Sequence, residues 1–470
     1  MLWIVVLLLS LFIVQLAFII VAEYRRPYKA LTWLALSFLV PVVGLLAYFL
    51  IAKEYAGFRS AAGSGFERLE RIREDIMKRS LERTGAHSGN ESEWQRQAKL
   101  FRGMTGFPVT ACNETTVFSK GDQAFEAMLD AIASARHHIH ILFYIVRSDR
   151  LGNRFEQMLV RKAREGVKVR LIYDGVGSRH LDKSFLKRLR AGGVETGCFF
   201  PIRSALLGRR LNYRNHRKIV VVDGKIGFFG GLNIGEEYLG RSRRYGYWRD
   251  THFAIAGDAV LWLQYTFLAD WLRVMGRFPE EEGYFPDQPG IGKEFVQIIR
   301  SDPTKRLHEL IFSFIVSAKK RLYIESPYFI PDPAVMLALK TAAAKSVDVA
   351  VVLPGKPDKK LVYTGTMSYV REMQPSGIRF YRYRKGFIHS KVIISDDVAF
   401  SGSANLDMRS FWGQFEIDAL FWDGNVVGCL ARDFFRDLED CEAISPAEFE
   451  GRNWKQRAYE VWARLISPLF

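Results

Sequence analysis

Cysteine is scarce in this chain of 470 residues, and the four present, Cys112, Cys198, Cys429 and Cys441, stand far apart with no CxxC pair. That spacing excludes a disulfide framework and argues against a thiolate zinc site, leaving buried free thiols as the expectation. Acidic side chains are outnumbered, 51 against 67 Lys and Arg, so the formal net charge is +16. Such a balance implies an anionic partner, either nucleic acid or the phosphate surface of a membrane. At 49% hydrophobic and 14% aromatic the chain is not a disordered one, and it can bury a large core in two domains or one duplicated domain.

Charge is absent altogether from residues 1 to 22, and after the polar segment EYRRPYK a second uncharged run extends from Ala30 to Ala52. Each run exceeds the ~20 residues that cross a hydrocarbon core as a helix. There is no basic leader and no small-residue cleavage site near Ala22, which argues against a signal peptide and for a two-helix transmembrane hairpin over residues 1–52. Pro41 and Gly44 are tolerable within such a span. The positive-inside rule pulls both ways, because Arg25, Arg26 and Lys29 lie between the runs while Lys53, Arg59, Arg68 and Arg71 follow the second. In residues 65–84, Phe66, Leu69, Ile72, Ile76 and Leu81 recur at helical spacing and predict a connecting helix. AHSGNES, residues 86–92, reads as a loop, which makes residues 53–95 a connecting helix and linker.

From residue 96 onward the order of segments occurs twice. AFEAMLDAIASA precedes HIHILFYI, a helix leads to VKVRLIYD, and NHRKIVVVD (215–223) follows. LHELIFSFIVSA precedes RLYIESPYFI, a helix leads to VDVAVVLP, and IHSKVIISD (388–396) follows. Strands alternating with helices predict an α/β fold with a mostly parallel sheet in each half, residues 96–290 and 291–470, and two similar halves predict a pseudo-twofold arrangement.

The two closing stretches share HxKxxxxD. Side chains two apart on a strand point the same way, so His216 and Lys218 share a face, as do His389 and Lys391. Asp223 stands at an odd offset and opens a DG turn, so it is expected to anchor the local backbone, although it and Asp396 complete the two catalytic motifs. Small residues then precede an Asn in each half: GGLN ends at Asn233 and GSAN at Asn405. Glycine permits close backbone approach, and an Asn amide can donate to a phosphate oxygen. This ensemble suits phosphodiester transfer: a neutral imidazole attacks phosphorus, the opposite imidazolium protonates the leaving alkoxide, and Lys218, Lys391, Asn233 and Asn405 hold the nonbridging oxygens. The two motifs are thus expected to form one site.

With these residues in view, the chain resembles the phospholipase D superfamily and, within it, the bacterial cardiolipin synthases. The resemblance covers nearly the whole chain and rests on the N-terminal RRP turn, GVKVRLIYDGVGS, NHRKIVVVDGKIGFFGGLNIGEEY, YWRDTH, ESPYFIPD, LPGKPD, GFIHSK and GSANLDMRSF. It implies duplicated phospholipase D-like α/β/α halves. It also implies joining of two phosphatidylglycerol molecules into cardiolipin with release of glycerol, through a phosphohistidine, without metal or nucleotide cofactor. By the same resemblance His216 is the nucleophile and His389 the acid and base, while Asp250 in YWRD and Glu416 in QFEI orient the imidazoles. The family has Asn just before the Phe of its FE pair, where this chain has Gln414. The implied setting is the bacterial inner membrane, multi-pass, with the catalytic part on the cytoplasmic face; the oligomeric state stays open, a homodimer among the options.

Rival readings are a superfamily nuclease, a lipid hydrolase, a phosphatidyltransferase using a nucleotide-activated lipid, and a binding-only scaffold. A nuclease has no need of membrane spans, and a scaffold no need of intact His and Lys pairs. Two further segments have weaker claims. Residues 199–214, FFPIRSALLGRRLNYR, suit either a loop in the lipid interface or an ordinary basic loop. Near the C-terminus Trp454, Ala458, Val461, Trp462 and Leu465 make one helical stripe, expected to pack on the domain.

Overall fold

The computed structural model describes residues 2–24, 27–52, 64–86, 93–207, 212–242, 244–288, 290–303, 307–422 and 424–467. The basic turn at Arg25 and Arg26, Lys53 and Arg59, the loop 87–92 and residues 208–211 of the basic loop lie outside the described residues.

The apolar N-terminus forms α1 (Leu2–Ala22), long enough and apolar enough to cross a membrane. The second uncharged run does not form one span. It breaks into α2 (Pro27–Leu39) and α3 (Pro41–Ile51). Pro41 has no N–H to donate, and it pushes the preceding residue out of the helical region, so Val40 sits at φ −138° and ψ 76°. The chain then folds back on itself: a Cβ on Gly44 would lie 2.6 Å from the Cα of Ser37, and at the open end Lys29 Nζ reaches Ala52 O at 2.8 Å and Glu23 at 2.9 Å. Helix α4 (Ser64–Ala86) is the predicted connector, burying Leu69 and Ile76 while Phe66 and Leu81 stay exposed; α5 (Glu93–Thr105) follows.

The first half runs β1 (Thr110–Phe118), α6 (Gly121–Ser134), β2 (His138–Phe143), α7 (Arg150–Arg164), β3 (Lys168–Asp174), α8 (Lys183–Ala191) and β4 (Glu195–Phe199). It continues with α9 (Ile202–Leu207), β5 (Arg214–Asn215), β6 (Ile219–Val222), β7 (Ile226–Gly230), β8 (Tyr247–Arg249), β9 (His252–Ala256) and α10 (Ala259–Met275). The second runs β10 (Glu294–Ser301), α11 (Leu307–Val316), β11 (Arg321–Glu325), β12 (Phe329–Ile330), α12 (Pro333–Ala344), β13 (Asp348–Pro354), α13 (Lys360–Met373) and β14 (Arg379–Tyr383). Then come β15 (Gly386–Ile388), β16 (Val392–Ser395), β17 (Val398–Gly402), β18 (Leu406–Asp407), α14 (Met408–Trp412), β19 (Gln414–Phe421), α15 (Gly424–Glu439), β20 (Cys441–Ala443) and α16 (Trp454–Leu465).

One sheet passes through both halves in the order β20-β14-β13-β11-β16-β17-β19-β10-β1-β9-β7-β6-β2-β3-β4. The two halves meet where β1 pairs antiparallel with β10. Within the first half only β2–β3 and β3–β4 are parallel, whereas β1–β9, β9–β7, β7–β6 and β6–β2 are antiparallel, so the expected mostly parallel sheet is corrected to a mixed one. The cause is local. Asp223 (φ +53°), Gly224 (φ +64°) and Lys225 form the three-residue turn between β6 and β7, and a connection that tight admits only antiparallel neighbours.

Helix α10 is buried from Ala259 to Trp271, packed at the centre of the largest core cluster. Of the four thiols expected in the core only Cys112 is buried; the others stand nearer the surface, where a small free thiol is equally tolerated. The C-terminal stripe also differs from expectation. Glu460, Ala463 and Ile466 face inward, while Trp454 is 74% and Val461 68% exposed. The inward side is selected by polar anchoring: Tyr369 and Ser467 share a hydrogen bond of 3.1 Å, and Thr32 of α2 donates to Leu465 O at 2.8 Å.

Candidate active site

Two very short parallel ribbons build the site. Strand β5 pairs with the start of β19, Gln414 against Arg214 and Phe415 against Asn215. The next residues along these strands are His216 and Glu416. The His216 N–H donates to Phe415 O at 2.9 Å, and the imidazole Nδ1 lies 3.0 Å from Glu416 Oε2. The mirror arrangement holds on the other side. Strand β15 pairs with β8, Ile388 against Arg249, so His389 comes opposite Asp250; its N–H donates to Arg249 O at 2.6 Å, and Nδ1 lies 2.7 Å from Asp250 Oδ2. Each histidine therefore meets a carboxylate supplied by the other half of the chain. A carboxylate acceptor at Nδ1 fixes the tautomer and leaves the Nε2 lone pair for chemistry.

Both histidines, with Asn233 and Asn405, line one cavity of about 500 Å³, walled by Tyr144, Trp248 and Tyr328 among others. The Tyr144 ring stands edge-on to His216 at 5.0 Å and Trp248 tilts against His389 at 5.2 Å. The lysines sit behind the imidazoles. Lys218 Nζ donates to His216 O at 2.6 Å and Lys391 Nζ to His389 O at 2.5 Å, both side chains being buried. Asn233 accepts from Ile145 N at 3.1 Å and donates to the Tyr238 hydroxyl at 3.1 Å. Asp223 and Asp396 do not face the cavity. Each accepts three backbone N–H groups at the start of the neighbouring strand, Arg136, His137 and His138 for Asp223, and Lys319, Lys320 and Arg321 for Asp396. They brace the strands from outside the site, as the odd offset of Asp223 implies.

Electrostatics separates the two pairs. Burial, then the charge of Lys218, pushes His216 well below its usual pKa, and burial, then Lys391, brings His389 down to about 4. Burial also lowers Lys218 to about 7 and Lys391 to about 8. For Asp250 burial pushes upward, but the charges of Lys391 and His389 prevail and hold the carboxyl at about 2. For Glu416 burial prevails over the attraction of Lys218, and its pKa is raised.

Several positioning residues were not singled out from the sequence. Ser403 donates to Glu416 Oε2 at 2.6 Å. Its counterpart in GGLN is Gly231, where a Cβ would come 1.9 Å from Asp250 Oδ1, so the shorter acid occupies the space a side chain would take. The unequal motifs GSAN and GGLN carried that signal. Buried Arg217 spans the halves: Nε donates to Glu416 O at 3.0 Å, and the guanidinium pairs with Asp270 of α10 and donates to Ser301 O. Arg249 does the equivalent for Asp250, donating to its carbonyl at 2.5 Å while Nε bonds Asp437 at 2.6 Å. In the basic loop Phe199 and Phe200 are buried against Phe415, leaving Ile202 and Leu206 exposed.

Two histidines facing one cavity of an α/β fold, each backed by a buried lysine, define a phospholipase D-like phosphodiester-transfer site. The family model described as cardiolipin synthase, PLD-like domain, matches residues 128–247 and 311–438. A cardiolipin synthase of Halalkalibacterium halodurans is 39% identical over 98% of this chain and 93% of its own length. Cardiolipin synthase 2 of Bacillus anthracis is 40% identical over 96% of this chain and 88% of its own. The chain belongs to the cardiolipin synthase family. A phosphatidylserine synthase of Haemophilus influenzae shares the fold, with a TM-score of 0.62 at 14% identity over 80% of this chain and 100% of that one.

Proposed function

We propose that this protein is a phosphatidyltransferase that joins two phosphatidylglycerol molecules into cardiolipin and glycerol. The observation that carries the reading is the crossed pairing of His216 with Glu416 and His389 with Asp250 across one cavity. The neutral His216 Nε2 attacks the phosphorus of the first lipid. As the N–P bond forms and the P–O bond to glycerol breaks, His389 passes its proton to the departing oxygen, and glycerol leaves. The seated phosphodiester is anionic, and a negative charge within a few ångströms favours the imidazolium that this step needs. A glycerol hydroxyl of the second lipid then gives its proton to His389 as its oxygen bonds phosphorus and the N–P bond breaks. Ionised Asp250 supports the charge on His389, and Lys218, Lys391, Asn233 and Asn405 offset the charge on the phosphoryl oxygens.

The chain is read as two halves, residues 96–290 and 291–470, related by a pseudo-twofold axis between β1 and β10. Supporting this, the strand order β14-β13-β11-β16-β17-β19-β10 is mirrored element by element in β1-β9-β7-β6-β2-β3-β4. In the membrane, α1 makes a single crossing. Helices α2 and α3, of 13 and 11 residues, reach only about 20 Å and 17 Å, short of a hydrocarbon core of about 30 Å, so they dip in and return as a hairpin. The exposed Trp454 and Val461 of α16, beside α2, then face the lipid interface, and the catalytic halves lie on the cytoplasmic face of the bacterial membrane.

The test is to incubate the purified full chain with phosphatidylglycerol vesicles and, separately, with duplex DNA. Cardiolipin and glycerol in equal amounts are expected, with the DNA intact. Phosphatidic acid as the lipid product would make it a hydrolase, and cut DNA a nuclease.

A further inference from the structure

We propose that Gln414, with the amide oxygen of Asn405, forms a hydroxyl-recognition subsite for the polyol headgroup; this rests on the transferase reading above and names what selects its substrate. Both residues line the cavity and both are more than nine-tenths buried, at 8% and 4% relative exposure. Among the described residues Gln414 Oε1 and Asn405 Oδ1 have no hydrogen-bond partner. Asn233, which holds the corresponding place in the first half, has its oxygen engaged by Ile145 N. The two halves thus differ at this point: among the described residues the Asn233 oxygen has a partner, while the Asn405 oxygen, in a residue lining the same cavity, has none.

A buried acceptor without a partner is costly, so native proteins satisfy nearly all such groups or reserve them for a ligand. An amide oxygen cannot receive a phosphate oxygen, which is also an acceptor. It receives a donor, and the glycerol headgroup, the alcohol that leaves in the first half-reaction and attacks in the second, brings hydroxyl donors to this cavity. Gln414 is held firmly for the task. It opens β19, its neighbour Phe415 packs on Phe199 and Phe200, and Glu416 two residues later bonds His216. The subsite is therefore in fixed register with the reacting imidazole.

The experiment compares release of labelled headgroup alcohol from trace phosphatidylglycerol and from trace phosphatidylpropanol, whose headgroup has the same three carbons but no free hydroxyl, each in vesicles holding the same excess of unlabelled phosphatidylglycerol as acceptor. The wild-type protein should favour phosphatidylglycerol by at least about 10-fold in kcat/KM, the range set by one unmade hydrogen bond to a buried acceptor. Gln414→Leu should narrow that preference by about 10-fold, through a slower reaction of phosphatidylglycerol, and Gln414→Asn, which keeps an amide, should restore part of it. An unchanged preference in Gln414→Leu, or equal slowing of both lipids, overturns the subsite. Release of no alcohol from either lipid by the wild-type protein would instead overturn the transferase reading itself.

Discussion

His216 and Glu416 stand 200 residues apart in the chain, yet their side chains meet at 3.0 Å because a two-residue parallel ribbon aligns β5 with β19. The same device joins His389 to Asp250, 139 residues away, at 2.7 Å. Neither half carries a complete histidine and carboxylate pair, so the reactive unit exists only in the folded duplicate.

The two orienting acids should not be equivalent. Asp250 is ionised at neutral pH, whereas burial shifts Glu416 toward its protonated form. Asp250→Asn should lower kcat by ~10² or more, the usual worth of a general acid-base group left unsupported. Glu416→Gln should cost no more than about 10-fold, since a neutral amide resembles the protonated acid. Steady-state turnover of both variants checks this, and the reverse order of losses would contradict it.

The pH profile follows from the same groups. Lys218 and Lys391, brought down to about 7 and about 8, lose their charge as pH rises through that window, and with it their hold on an anionic diester. Below it His389 stays neutral until the pH falls toward about 4, and burial holds His216 well below its usual value too, so the nucleophile is lost only where acid protonates His216. The value of kcat/KM on a short-chain phosphodiester should thus fall on both sides, the alkaline limb lying between about pH 7 and 8. A profile flat from neutrality far into alkali would show that charged lysines are not required.

Much of this site was legible in the sequence. The doubled HxKxxxxD spacing picked out His216, Lys218, His389 and Lys391, and the odd offset of Asp223 placed it on a turn rather than in the cavity. Which carboxylate serves which histidine was not legible. Strands of two and three residues have no periodicity to read, and their partners are distant in sequence. The sheet direction was misjudged for a related reason: the βα alternation of β2, β3 and β4 is visible, while the antiparallel run from β6 to β1 depends on turns and on pairings that this alternation does not show. Hydropathy likewise showed Ala30 to Ala52 as one run, because Pro41 breaks a helix without lowering apolarity.

Metal should not be needed for turnover. Lys218 and Lys391 supply positive charge beside the reacting histidines, the role a cation fills at other phosphoryl-transfer sites. Assays after exhaustive chelation should retain full activity; loss restored by a single added cation would contradict this.

The membrane reading gives a one-sided result. With a single crossing by α1 and a returning α2–α3 hairpin, the N-terminus lies across the bilayer from the catalytic halves. A Leu2→Cys variant in intact cells should react with a membrane-impermeant maleimide. Protection of that thiol until the cells are opened would instead indicate two full crossings.

The central claim is that His216 takes the phosphatidyl group and His389 moves the proton. A labelled p-nitrophenyl phosphodiester has a leaving group that departs without acid assistance, so the adduct should form even where His389 is missing. Rapid acid-free quenching of the His389→Ala protein is expected to leave label on His216, and the His216→Ala protein should carry none. Label on His389 in the His216→Ala protein would contradict the assignment.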